Sequence, residues 1–234
     1  MGELFFASDG SPLSKPEDVI RLLGKQEMHW KEKYSAYETA HSWFEAQDLP
    51  QAIRAILETE PIYADARLLK AFFEKKTALD EFGRGPSQTD VLAILQISSG
   101  RAVVGVEGKV NEPFGDYVFQ WNDGSPSKAS RLSALTKRLG LQATVVSGLR
   151  YQLVHRTVAT LLEAQTMGAR EAAMVVQSFS PDSVRAGFGD FQVFGAALGT
   201  PIADTGTLSP PIDLDGVQLR LGWAVNSMHS ADAV

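Results

Sequence analysis

The sequence predicts a single α/β domain, and three stretches carry that reading. Two short β-branched runs, Val91 to Ile97 and Ala102 to Val106, flank Ser98-Ser99-Gly100 and read as a β-hairpin. Residues 150–167 space their apolar side chains as an amphipathic helix does. Ala172 to Phe179 then forms a continuous apolar run suited to a strand buried on both faces. A chain of 234 residues is long enough to bury a full core.

Taken in order, residues 1–15 are turn-rich and expected to be irregular, and Pro16 opens a short helix that Gly24 ends. Ser35 to Gln47 is the first strong helix, with Ser35 and Glu38 spaced as a capping box and Trp43 and Phe44 as buried contacts. Pro50 to Leu57 starts another. Ala66 to Leu79 is ambiguous between helix and strand, and its place before the hairpin favours a strand for at least part of it. Residues 82–87 read as a loop that delivers the chain to Asp90. After the hairpin, Pro113 breaks the ladder and Asn122 to Ser127 turns. Ala129 to Leu139 is a helix, and Leu141 to Val146 is expected to be a short strand. The helix of residues 150–167, closed by Gly168, buries Leu153, Val154, Val158 and Leu161 and carries a second stripe of Gln152, His155, Arg156 and Ala159. The last fifty residues are rich in Gly and Pro, with Phe188, Phe191 and Phe194 at helical spacing, a strand at Val217 to Val225, and a frayed tail from Asn226. The chain divides into an N-terminal extension (1–34), a core (35–180) and a C-terminal extension of irregular and β structure (181–234).

Composition closes off several functions. There is no cysteine, hence no disulfide framework and no thiolate ligand or nucleophile. No apolar run can span a bilayer, so the expectation is a soluble, cytoplasmic protein that does not bind membranes. A net charge of −6 argues against a uniformly basic nucleic-acid binder but leaves room for a local basic surface. Between Gly124 and Leu162 there is no acidic residue, while Lys128, Arg131, Lys137, Arg138, Arg150 and Arg156 all fall inside. Such a stretch either binds an anion or meets acids supplied from elsewhere. His29, His41, His155 and His229 are scattered, with no zinc-hydrolase spacing. There is no G-x-S-x-G and no phosphate-binding glycine loop.

The hairpin gathers charge. With Ser98, Ser99 and Gly100 as its loop, paired residue numbers sum to 198 and Asp90 lies opposite Gly108. A two-residue loop is expected to shift Asp90 opposite Lys109. Glu107 and Lys109, two apart, share one face of their strand. Asp90, Glu107 and Lys109 thus reach one end of the hairpin, either as a surface ion pair or as a site. Glu38 is likewise either a cap partner or an acid directed at that site.

The order helix 35–47, strand near 66–79, hairpin strands, helix 150–167 and strand 172–179, with an acid before one strand and Glu107-Gly108-Lys109 on the next, resembles the PD-(D/E)XK nuclease superfamily. That resemblance implies a restriction-endonuclease-like core, an α-β-β-β-α-β mixed sheet flanked by helices. It implies metal-dependent hydrolysis of phosphodiester bonds in nucleic acid, DNA ahead of RNA. Asp90, Glu107 and the Gly108 carbonyl would hold Mg²⁺ or Mn²⁺, Lys109 would act on the attacking water or the phosphate, and Glu38 would be a further catalytic acid. Arg150, Gln152, His155 and Arg156 would hold substrate, Gln152 resembling the polar helix motif of the RecB and lambda-exonuclease branch. The chain departs from the pattern in Thr89 before the acid and in the long segment 111–148. A non-catalytic binding module on the same fold, or an interaction protein with an ion-pair network, is the alternative, and a homodimer is one possible assembly.

Overall fold

The computed structural model describes residues 3–24, 28–80 and 85–229. Its centre is a seven-stranded mixed sheet in the order β1-β2-β3-β4-β5-β7-β6. The strands are β1 (Phe5–Ala7), β2 (Arg67–Thr77), β3 (Ser87–Ile97), β4 (Gly100–Lys109), β5 (Glu171–Ser178), β6 (Ile212–Leu214) and β7 (Val217–Val225). The pairs β2–β3, β3–β4 and β6–β7 are antiparallel; β1–β2, β4–β5 and β5–β7 are parallel. The helices are α1 (Ser35–Ala46), α2 (Gln51–Leu57), α3 (Val118–Trp121), α4 (Pro126–Arg138), α5 (Ala143–Val146), α6 (Tyr151–Thr166) and α7 (Pro181–Ala197).

Period-two alternation splits each central strand between two faces. Val91, Ala93 and Leu95 of β3, with Val104 and Val106 of β4, pack with Trp43 and Phe44 of α1 and Ile53 and Ile56 of α2. Leu92 and Val103 point the other way, toward Leu161 of α6. Beside them Leu153 and Val158 of α6, Phe191 and Phe194 of α7 and Trp223 of β7 fill a third apolar cluster. Helices α1 and α2 therefore cover one face of the sheet, and α6 covers the other.

Several expectations change. Residues 5–7 are a strand paired with β2, because Phe5 and Ala7 bury themselves beside it. The whole of residues 67–77 is strand. Residues 143–146 form a short helix rather than a strand: β1 and β6 already occupy the sheet edges, and Val145 N bonds locally to Gln142 O. Residues 181–197 are a helix, with the phenylalanine spacing prevailing over the glycines. β7 sits beside β5 inside the sheet, so the C-terminal segment is part of the core. Asn226 is held, its N–H donating to Ser178 O at 2.7 Å. Residues 82–84 of the expected loop and 230–234 of the tail lie outside the described residues. Among the described residues no helix is long and apolar enough to cross a membrane.

Candidate functional site

The hairpin loop is two residues, Ser98-Ser99, since Ile97 pairs with Gly100, whose φ of 130° suits glycine. Paired numbers therefore sum to 197; the ladder ends at Val91–Val106, and that register, continued one step, brings Asp90 beside Glu107 rather than opposite Gly108 or Lys109. On the other side of β3, Phe73 pairs with Val91 and Lys75 with Thr89, which sets Glu74 across from Asp90. Three acids on three adjacent strands thus stand in one row. Glu74 was not expected here. Its φ of 51°, rare for a residue other than glycine, interrupts the alternation of β2 and hides it from a pattern reading.

These acids line a cavity of about 800 Å³ together with Lys109, Gln152, Arg156 and Gln88, and the first turn of α1 forms part of its wall. Glu107 is buried and fully engaged. Gln152 Nε2 donates to Oε1 at 2.6 Å, Lys109 Nζ to the same oxygen at 3.2 Å, and Arg156 Nε to Oε2 at 2.6 Å. Lys109 Nζ also donates to Gln152 Oε1 at 3.1 Å, closing a Glu–Lys–Gln ring of contacts. Asp90 Oδ2 accepts the Gly108 N–H at 2.8 Å. Glu74 Oε2 accepts from Gln88 Nε2 at 2.6 Å.

Two glycines of β4 allow this closeness. A Cβ on Gly105 would collide with Thr160 Oγ1 of α6, and one on Gly108 with Thr39 Oγ1 of α1. Gly105 lets α6 settle low enough for Gln152 and Arg156 to reach Glu107. Gly108 does the same for α1 on the opposite face.

Charge is unevenly compensated. Burial pushes the Asp90 carboxyl well above the usual carboxylate range, and the charges of Glu107 and Glu74 push it the same way. Burial also raises Glu74, to about 7, against the Gln88 hydrogen bond and the Arg156 charge. For Glu107 burial acts upward too, but Arg156 and Lys109 outweigh it and hold the carboxylate below its ordinary value. Burial would lower Arg156, yet Glu107 and Asp90 raise it. One acid is thus ionised and paired, and two others hold protons more readily than carboxyls in water.

The other expected residues separate. Glu38 is buried on α1, on the face opposite Glu107, and both its oxygens are taken: Oε1 by the Lys33 N–H at 2.9 Å and Oε2 by the His229 N–H at 2.7 Å. It lies outside the cavity lining, and it makes no capping box with Ser35, because Tyr34 is the N-cap. Arg150 is also outside. Its guanidinium bonds Asp190 at 2.6 Å and Gly115 O at 2.6 Å and covers the Tyr117 ring, fixing the start of α6. His155 faces a second cavity of about 370 Å³ that shares Lys109 and Gln152 with the first and includes Trp121 and Tyr151. Burial, then the Arg156, Arg131 and Lys109 charges, hold its ring neutral. Ser87 Oγ accepts from Arg156 Nη1 and shares a hydrogen bond of 2.9 Å with His155 Nδ1. Much of the acid-free stretch meets acids from elsewhere: Lys128 pairs with Asp123, Arg131 with Asp80, Arg150 with Asp190 and Arg156 with Glu107.

Fold and site together define an α/β domain with an acid, lysine and glutamine cavity at the end of its central hairpin. The chain belongs to the family described as a domain of unknown function, DUF6946, whose model matches residues 12–228. No curated protein and no solved structure matches it.

Proposed function

We propose that this cavity hydrolyses phosphodiester bonds of nucleic acid, with DNA the first substrate to test, on a restriction-endonuclease-like core. The observation that carries the reading is the meeting of Asp90, Glu107, Lys109 and Gln152, from three different elements, in one cavity. The donor set suits Mg²⁺ or Mn²⁺. Such ions take hard oxygens, keep several waters and need only one or two carboxylates from the protein. Asp90, Glu107 and the Gly108 carbonyl would hold the ion, and the upward-shifted Asp90 and Glu74 mark a place short of positive charge. A bound ion would acidify an attacking water and offset charge on the phosphoryl oxygens.

The chain's own groups divide the remaining work. Lys109, with Glu107 and Gln152 as its partners, would turn its ammonium toward the attacking water or a phosphate oxygen. Gln152 and Arg156 act through Glu107, fixing the direction of its carboxylate, and are positioning residues. His155, Trp121 and Tyr151 in the adjoining cavity offer rings and an imidazole to a flanking nucleotide.

A second reading has its own support. Both Glu107 oxygens are already hydrogen-bonded, as in a self-contained ion-pair network of a binding or interaction module. Cleavage of single- and double-stranded DNA with Mg²⁺ or Mn²⁺ separates the two. Catalysis requires activity that Asp90→Asn abolishes and Lys109→Ala lowers on the order of 10²–10³-fold. It also requires that the ion raise the melting temperature of the wild type but not of Asp90→Asn. Nucleic-acid affinity without cleavage, or the absence of any metal effect, assigns the site to the module.

A further inference from the structure

A second cluster of ligating side chains lies on the other face of the sheet. Four histidines look scattered in the chain, but the fold brings His229, four residues after β7, against His41 and Glu45 of α1. One nitrogen of each imidazole and one Glu45 oxygen lie within 4.8 Å of one another. His229 Nδ1 is 2.5 Å from Glu45 Oε1, and His41 Nδ1 is 3.9 Å from it. The two imidazole rings stack with centroids 4.5 Å apart.

We propose that His41, Glu45 and His229 form a transition-metal site, zinc first by its ligand chemistry, that fastens the segment after β7 to α1. Two neutral imidazoles and a carboxylate are a recurrent zinc set, leaving a fourth position for water. The Mg²⁺ and Ca²⁺ alternatives are disfavoured because they take oxygen ligands, and two of the three donors here are nitrogen. The spacing helps. His41 and Glu45 are four apart and share one face of α1, so the helix presets two of the three ligands. Tetrahedral bonds of about 2.0–2.1 Å put ligand atoms roughly 3.3 Å apart, so the ion asks for side-chain adjustments on the order of 1 Å and no movement of α1.

Two further observations make the placement more than a chance contact. The tail is carried there by bonds that leave the ligating side-chain atoms free: Asn226 N to Ser178 O, Gln177 Nε2 to Asn226 Oδ1 at 3.3 Å, and His229 N to Glu38 Oε2. This gives Glu38 a role, since it holds the backbone of a ligand. Tyr37 and Trp30 wall the His41 ring at centroid distances of 4.2 and 6.0 Å, while Glu45 stays exposed and leaves a way in.

This site is independent of the acid cavity, and Co²⁺ tests it without reference to any activity. The full chain, stripped with chelator, is titrated with Co²⁺ and followed by visible absorption. The expected result is one equivalent of Co²⁺ with the intense bands of tetrahedral coordination, displaced by Zn²⁺. His229→Ala, a change in the tail that leaves the core intact, and His41→Ala should each abolish those bands, whereas Asp90→Asn should leave them unchanged. Zn²⁺ should raise the melting temperature of the wild type and of Asp90→Asn, but not of His229→Ala. No tetrahedral Co²⁺ spectrum in the wild type, or one that survives in His229→Ala or disappears in Asp90→Asn, overturns the proposal.

Discussion

Gly108 shows how one missing side chain governs the cavity. It lies between Glu107 and Lys109 yet faces the other side of the sheet, where Thr39 leaves no room for a methyl group. Its N–H is also the group that holds Asp90. Gly108→Ala should therefore cost about 1–3 kcal/mol, the range for overpacking a tight contact. The obstacle is a hydroxyl that is buried with no hydrogen-bond partner among the described residues. Thr39→Ala should then be nearly neutral alone and should recover most of the loss in the double variant. Urea denaturation of the two single variants and the double variant measures this coupling. Strictly additive losses would mean that Gly108 is required by its backbone and not by the space.

At the scale of elements, the contact that matters most is α6 on β4. Arg156 and Glu107 are both largely buried and 2.6 Å apart, so breaking the pair strands a charge. Arg156→Ala should destabilise by about 3–5 kcal/mol, while Arg156→Met with Glu107→Gln should recover much of that, because replacing both members of a buried pair is often tolerated. Equal losses in the single and double variants would contradict it. This element also shows what can be read from the sequence and what cannot. The helix, its apolar face and the stripe of Gln152, His155 and Arg156 follow from spacing alone. The hairpin strands and the shared face of Glu107 and Lys109 follow from period two. Spacing does not say which residues α1 turns toward the cavity: its first turn forms part of the wall, while Glu38, expected at the site, lies outside the lining with both oxygens bonded elsewhere. Nor does it reveal Glu74, whose positive φ breaks the pattern that would have exposed it, or the union of His41 with His229, which depends on where β7 is inserted.

The whole molecule sets the electrostatic state of the cavity, because the sheet and the helices on both its faces enclose a row of three acids, Glu107 buried and Asp90 and Glu74 half-buried. Glu74 is raised from 4.5 to about 7 chiefly by burial. Between those values the folded protein keeps a proton that the unfolded chain has released. Its contribution to stability is complete below about pH 4.5 and is lost as pH rises through about 7. Asp90 acts in the same direction. Glu107, shifted downward, loses its contribution only in more acid solution and stays outside this window. His41 and His155, both shifted downward, act in the opposite sense below the ordinary histidine value of 6.5, so the raw melting curve mixes contributions. The difference between Glu74→Gln and the wild type isolates the carboxyl. In chelator, that difference in melting temperature should grow in favour of the variant from about pH 5 to about pH 8, where the wild type must bury the charge and the variant need not. Under the proposed function, Mg²⁺ should stabilise the wild type more at pH 8 than at pH 5, since the cation competes with protons for the same oxygens. A melting difference independent of pH would show that Glu74 titrates as an ordinary surface acid and that the row of three carboxylates carries no stored charge.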